Sequence, residues 1–120
     1  MARGLQKQQE YQQALSLLGK TLLRRSQRRC ELTDEAGELV IYDLEAPRVE
    51  PSLDEVLHVS PKVRDWLNGG QINPLEARTL ETVIWSEHQA VVRAALTLLD
   101  RIDEPWAREA AESVRMMREF

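Results

Sequence analysis

The chain of 120 residues holds a single cysteine, Cys30. One thiol permits no internal disulfide, which fits a reducing compartment. It also leaves a cysteine-based metal centre incomplete, because Thr33 stands where a second cysteine would close a Cys-x-x-Cys knuckle. A structural zinc takes four nitrogen or sulfur ligands in a tetrahedron, and Cys30 with the two histidines, His58 and His88, falls short of four. Glycine is scarce at five residues, and its one pair, Gly69-Gly70, reads as a helix stop and not as a phosphate-cradling loop. No apolar run approaches the roughly 20 residues that span a bilayer. The N-terminus has no continuous apolar segment of the signal-peptide kind. The expectation is a cytoplasmic protein with no membrane contact and no cofactor.

What is present is ordinary for a globular chain: 42% hydrophobic and 30% charged residues, enough for one domain or a small core with a helical extension. The net charge of −4 argues against bulk affinity for nucleic acid without excluding a local basic patch.

Periodicity divides the chain into three parts within a single domain, 1–29, 30–60 and 61–120. Tyr11, Ala14, Leu15, Leu18 and Leu22 recur at helical spacing and predict a helix over 3–29. The run Glu38–Asp43 is rich in β-branched and aromatic residues and predicts a strand, with a turn over Asp34–Gly37 before it. Pro47 and Pro51 bracket an irregular connection. Ser52 and Glu55 have the spacing of a capping box, but Glu55–Val59 is preferred as a second strand, because one strand alone has nothing to pair with. Ser60-Pro61 and Asn73-Pro74 each place a cap before a proline and predict helix starts. The first of these helices carries Val63, Trp66 and Leu67; behind the second lie Leu75, Leu80, Val83 and Ile84. Ser86 is the predicted cap of a further helix with the stripe Val91, Ala94, Ala95, Leu98, Leu99 and Ile102. A last helix begins near Pro105, with Trp106, Ala110, Val114 and Met117 expected on one face.

Two groups of residues resemble one family. Cys30-Glu31-Leu32 followed by Leu39-Val40-Ile41-Tyr42 resembles the zinc-ribbon region of PhnA-like proteins. Trp85-Ser86-Glu87, Ala90-Val91, Leu98-Leu99, Arg101-Ile102 and Trp106-Ala107 resemble the helical segment that comes after it, with Trp85-Ser86-Glu87 and Ala90-Val91 the most specific part. The resemblance covers about residues 24 to 110. It implies two metal knuckles, whose ligand positions fall on Cys30, Thr33, Ser60 and Val63; only Cys30 keeps its ligand. Longer members carry a C-terminal β domain, and the expectation from the sequence to Phe120 is a member that lacks it. The family is linked to phosphonate utilisation, but hydrolysis there needs metal ligands or a nucleophile constellation, and neither is visible.

The other candidates each carry two readings. Arg24, Arg25, Arg28 and Arg29 form a phosphate-binding patch, or they compensate the negative C-terminal end of a helix. Cys30 is a nucleophile with His58 as its base, or a relic thiol half-buried in a turn. His88 falls in the first turn of a helix and is expected at the surface. Glu76, Glu81, Glu87, Asp100, Asp103 and Glu104 are spread over helices as a solvated face. Trp66, Trp85 and Trp106 pack in the core or line an interface, and Trp85 is expected to do both.

The resulting expectation is a mostly helical α+β fold: a long N-terminal helix, a β-hairpin of treble-clef or zinc-ribbon type without metal, and a C-terminal helical subdomain. Thr33 and Val63, with Val40, Leu57, Val59 and Trp66, are expected to fill the vacated metal space. The leading function is a non-enzymatic interaction module binding an unknown protein partner, or itself as a homodimer, through an N-terminal helix whose apolar stripe the hairpin leaves uncovered. The alternatives are a nucleic-acid-binding module using the arginines, and an accessory protein or enzyme of phosphonate metabolism.

Overall fold

A computed structural model describes residues 2–45 and 51–118, with side chains from residue 8 onward. The described residues form a mostly helical α+β fold in the order α1 (Ala2–Ser26), β1 (Val40–Asp43), β2 (Val56–Val59), α2 (Pro61–Leu67), α3 (Leu80–Val83), α4 (Gln89–Leu99) and α5 (Pro105–Arg118). The segment 46–50, which contains Pro47, lies outside the described residues.

Helix α1 stops at Ser26, three residues before the predicted end, because the chain turns there. Gln27 and Arg28 take left-handed φ angles of 56° and 62°. The Arg28 amide donates to Leu23 O at 3.1 Å and the Gln27 amide to Arg24 O at 3.3 Å, so the turn satisfies two end carbonyls of the helix. The stripe that was expected to lie uncovered is turned onto the hairpin. Leu22 is fully buried, and Tyr11, Ala14, Leu15 and Leu18 are half-buried. The Tyr11 hydroxyl donates to Asp43 Oδ2 at 2.9 Å, and a Cβ at Gly19 would stand 3.7 Å from Ile41 Cδ1.

After α1 the chain makes a tight loop. The Cys30 amide donates to Glu35 O at 2.9 Å, the Asp34 amide to Cys30 O at 2.8 Å, and Asp34 takes φ 63°. Strands β1 and β2 then pair antiparallel, with Val40 opposite Val59 and Asp43 opposite Val56. All four residues of β2 are buried. Alternate strand residues face opposite ways, so both faces of β2 are covered, and α1 and α4 both pack against it. Ser52 and Glu55 form a turn and not a helix: the Glu55 amide donates to Ser52 O at 2.9 Å.

Helix α2 starts as the cap predicts. Ser60 Oγ accepts the Val63 amide at 3.3 Å. It stops at Gly69 (φ 101°) and Gly70, where a Cβ would meet Asp65 O at 2.6 Å, so only glycine fits. Asn73 Oδ1 accepts the Leu75 and Glu76 amides, but the chain then enters a 3-10 turn over Glu76–Thr79 and the short α3. The change of period leaves Leu75 83% exposed, against the core position expected for it, while Leu80 and Ile84 are buried.

Helix α4 is the centre of the core. Its predicted stripe is buried in full, and Val92 and Leu96 are buried as well. It begins at Gln89 with His88 at the capping position; Ser86 does not cap it but accepts the His88 amide at 3.0 Å, shaping the turn before. On α5 the buried face is Ala107, Ala111 and Val114. Met117 is 75% exposed, a correction to the face expected from Trp106, Ala110, Val114 and Met117. One cluster joins Cys30, Leu32, Leu57, Val59, Val63 and Trp66 to α4 and α5, with Val40 packed against it.

Candidate functional site

Two stretches that the sequence marks separately, the Cys30 turn and the Trp85-Ser86 loop, meet at one open groove of about 420 Å3. The end of α1 and the adjoining turn supply Arg25, Cys30, Glu31 and Asp34 to it; the α3–α4 region supplies Thr79, Thr82, Trp85, Ser86 and His88.

Trp85 is 43% exposed, so it is a wall of the groove and not a core residue. The Arg118 guanidinium lies 5.6 Å from its ring centroid and donates to Trp85 O at 2.7 Å and Ser86 O at 2.6 Å. This cation–π contact with two carbonyl bonds fixes the loop against α5. The other two tryptophans lie elsewhere. Trp66 is in the core at 3% exposure, and Trp106 is half-buried with the Arg78 guanidinium 4.7 Å from its ring centroid.

His88 borders the groove at the start of α4 with its side chain 40% exposed, the surface position expected. Its Nε2 lies 3.9 Å from Glu87 Oε1, beyond hydrogen-bond distance. Cys30 is 2% exposed, more deeply buried than the half-buried thiol expected and without the access a nucleophile needs. His58, its supposed base, is 6% exposed within β2, and its Nδ1 has no hydrogen-bond partner among the described residues. Burial pushes the His58 pKa down from its ordinary value; the Glu31 carboxylate opposes that shift and the Arg25 cation adds to it.

The four ligand positions implied by the family resemblance carry a thiol, a threonine hydroxyl, a serine hydroxyl that already accepts the Val63 amide, and an isopropyl group. Cys30, Thr33 and Val63 are buried at 2%, 6% and 0% exposure. That donor set does not fit tetrahedral zinc. Among the described residues no three His, Cys, Asp or Glu side chains group as metal ligands. Among the described residues Thr33 Oγ1 does not reach hydrogen-bond geometry with any partner, although its proximity to Glu35 is a lesser cause of the lowered Glu35 pKa. The main cause of that lowering is Lys62, whose Nζ sits 2.7 Å from Glu35 and 3.0 Å from Glu76; Glu35 in turn raises Lys62.

The arginine patch divides. Arg25 turns inward, donating to both oxygens of Glu31 and to Leu53 O and Val56 O at 2.7 to 2.9 Å. Arg29 donates to Asp34 O at 3.0 Å. Arg24 and Arg28 remain exposed and border, with Lys20, a separate shallow surface. The acidic residues serve ion pairs: Glu81 with Arg78 at 2.9 Å, Asp103 with Arg108 at 2.7 Å and Asp100 with Arg115 at 2.6 Å. Arg115 holds the Asp100 carboxyl below its usual range.

Sequence reasoning missed Glu31, Lys20 and the threonines of the groove. Lys20 was detectable, since Lys20, Arg24 and Arg28 recur at four-residue spacing. The threonines carry no signal before the fold brings α3 beside the Cys30 turn. No helix among the described residues is long and apolar enough to cross a membrane. Comparison of the chain with family models, curated proteins and solved structures finds no match.

Proposed function

We propose that this chain is a protein-interaction module, a metal-free relative of the PhnA-like proteins, which docks a segment of another protein in the groove at Trp85. The observation that carries the reading is the convergence of the Cys30 turn and the Trp85-Ser86 loop on one groove. Its most prominent side chain is a half-exposed tryptophan, the residue type most enriched at the energetic centres of interfaces. Thr79 and Thr82 offer hydroxyls along one wall and Asp34 a carboxylate on the other, enough to orient a backbone.

The relationship to a metal-binding ancestor is supported by the order of turn, hairpin and capped helix, and by the apolar cluster around Cys30, Leu57, Val59, Val63 and Trp66. Apolar packing supplies the folding energy that a structural zinc would otherwise provide. The turn is then free to serve as a groove wall. Catalysis lacks support, because the groove presents an accessible imidazole without a paired nucleophile or acid.

The test is affinity capture from nuclease-treated lysate of the source organism. A specific protein should be retained by the wild type and by the distant Leu75→Ala control, and released by both Trp85→Ala and Thr82→Arg. Retention of the same protein by both groove variants, or recovery of nucleic acid alone, overturns the reading.

A further inference from the structure

Charge is sharply segregated along this chain. The first 29 residues hold seven of the 16 Lys and Arg but one of the 20 Asp and Glu, a net of +6, and the remaining 91 carry −10. Every described Lys or Arg from Lys62 onward meets a carboxylate or a backbone carbonyl. Lys20 and Arg24 do not; among the described residues no carboxylate reaches either. The end of α1 does not require them, because backbone amides already take Leu23 O and Arg24 O, and Lys20 lies before the last turn, where the helix dipole fades.

Leu17, Lys20 and Arg24 recur at spacings of three and four, so they share one outward stripe of α1. Leu17 is 80% exposed. Helix α5 carries the complementary stripe at the same spacing: Glu109, Glu112 and Met116, with Met116 74% exposed and neither glutamate ion-paired among the described residues. Glu112 and Met116 border an open depression of about 440 Å3 between α4 and α5.

We propose that the outward stripe of α1 docks antiparallel on the outward stripe of α5 in a second copy of this chain. In that direction Leu17 meets Met116, Lys20 meets Glu112 and Arg24 meets Glu109. The parallel direction sets Leu17 against Glu109 and Arg24 against Met116, and is disfavoured on both counts. Each stripe is about 10 Å long at 1.5 Å per residue. The contact is therefore small beside the roughly 1,200–2,000 Å2 of a stable interface, and the association is weak and salt-sensitive. A membrane surface is a poorer occupant, because the apolar side of α1 is already spent on the hairpin. A nucleic-acid backbone would gain from Lys20, Arg24 and Arg28 but be repelled by the −10 of the body.

The test is the weight-average mass by sedimentation or light scattering across protein concentration, at low and at high salt. The wild type should rise above 13.8 kDa with concentration at low salt and return to it at high salt. Lys20→Glu with Arg24→Glu, and separately Glu109→Lys with Glu112→Lys, should each weaken association by about tenfold or more. An equal mixture of the two reversed proteins should associate again, since each supplies the stripe the other lacks. All four side chains are exposed, and circular dichroism checks that the variants fold. Trp85→Ala should leave the mass unchanged, which separates this contact from the groove. A wild type that stays monomeric at every concentration overturns the proposal, as does a mixture that fails to associate. So does loss of bound nucleic acid, with no change of mass, as the only effect of reversing Lys20 and Arg24.

Discussion

Arg25 clamps Glu31 with two parallel hydrogen bonds, Nε to Oε2 at 2.7 Å and one terminal nitrogen to Oε1 at 2.8 Å. The same guanidinium donates to Leu53 O and Val56 O, and Glu31 Oε1 also accepts the His58 amide at 2.8 Å. Two side chains thus tie the end of α1, the Cys30 turn and β2 together. They are 11% and 4% exposed, so the pair is shielded from solvent.

Removing one partner leaves the other charge buried and unpaired. Arg25→Ala and Glu31→Gln should each lower the unfolding free energy by about 3 kcal/mol or more. Arg24→Ala, one residue away and exposed, should change it by less than about 0.5 kcal/mol. Urea midpoints of the three variants, at matched salt, check the contrast. Equal effects at positions 24 and 25 would show that the clamp is not what holds α1 to the hairpin.

The pH dependence arises from His58. Its folded pKa lies below the ordinary 6.5 because burial penalises the cation. As pH falls through 6.5 the unfolded chain takes up a proton that the folded chain refuses, so stability is full above 6.5 and declines below it. The lowered carboxyls of Glu35 and Asp100 act further down, below their ordinary values of 4.5 and 3.8. Between pH 6.5 and about 5, the range in which an ordinary histidine titrates, His58 should therefore dominate the slope. His58→Leu should flatten it, as read from urea midpoints at stepped pH. An unchanged slope would place the proton uptake elsewhere.

Leu57 and Leu75 are the same residue type in opposite environments, at 0% and 83% exposure. Leu57→Ala empties space inside the cluster around Cys30 and should cost about 2–5 kcal/mol. Leu75→Ala should cost less than about 0.5 kcal/mol. Thermal or chemical denaturation of the pair measures the difference directly.

The elements were legible wherever a local signal decides them. Ser60-Pro61 caps α2, the β-branched and aromatic run at 40–42 forms the first strand, and the apolar stripe of α4 is buried as its period requires; the second strand, Val56–Val59, was expected only because the first needs a partner. What failed depended on a change of period or on tertiary placement. Leu75 looked like core because Asn73-Pro74 signals a helix start equally well for a 3-10 turn. Met117 looked buried because α5 turns its Ala107, Ala111 and Val114 face inward, rotated about the helix axis from the face assumed. Arg25 is indistinguishable in sequence from Arg24 and Arg28, since nothing local says which arginine a later strand will receive. The groove joins segments more than 40 residues apart, so neither contributing motif discloses it alone.

The proposed descent from a metal-binding module has a direct test in the positions Cys30, Thr33, Ser60 and Val63. The Cys30–Asp34 turn lies against the start of α2, as the Lys62–Glu35 ion pair at 2.7 Å requires. If these positions once surrounded a metal, Thr33→Cys, Ser60→Cys and Val63→Cys together should complete a four-thiolate set with Cys30. Cobalt added to the reduced variant should then produce the strong visible absorption of tetrahedral thiolate ligation, and zinc should displace it and raise the unfolding midpoint. Ser60→Cys weakens the α2 cap and Val63→Cys trims the core, so the metal-free variant should be less stable than the wild type. Its recovery on zinc addition is the decisive reading. A folded variant that binds neither metal would mean that the four side chains do not converge, and the kinship with PhnA-like proteins would lose its physical basis.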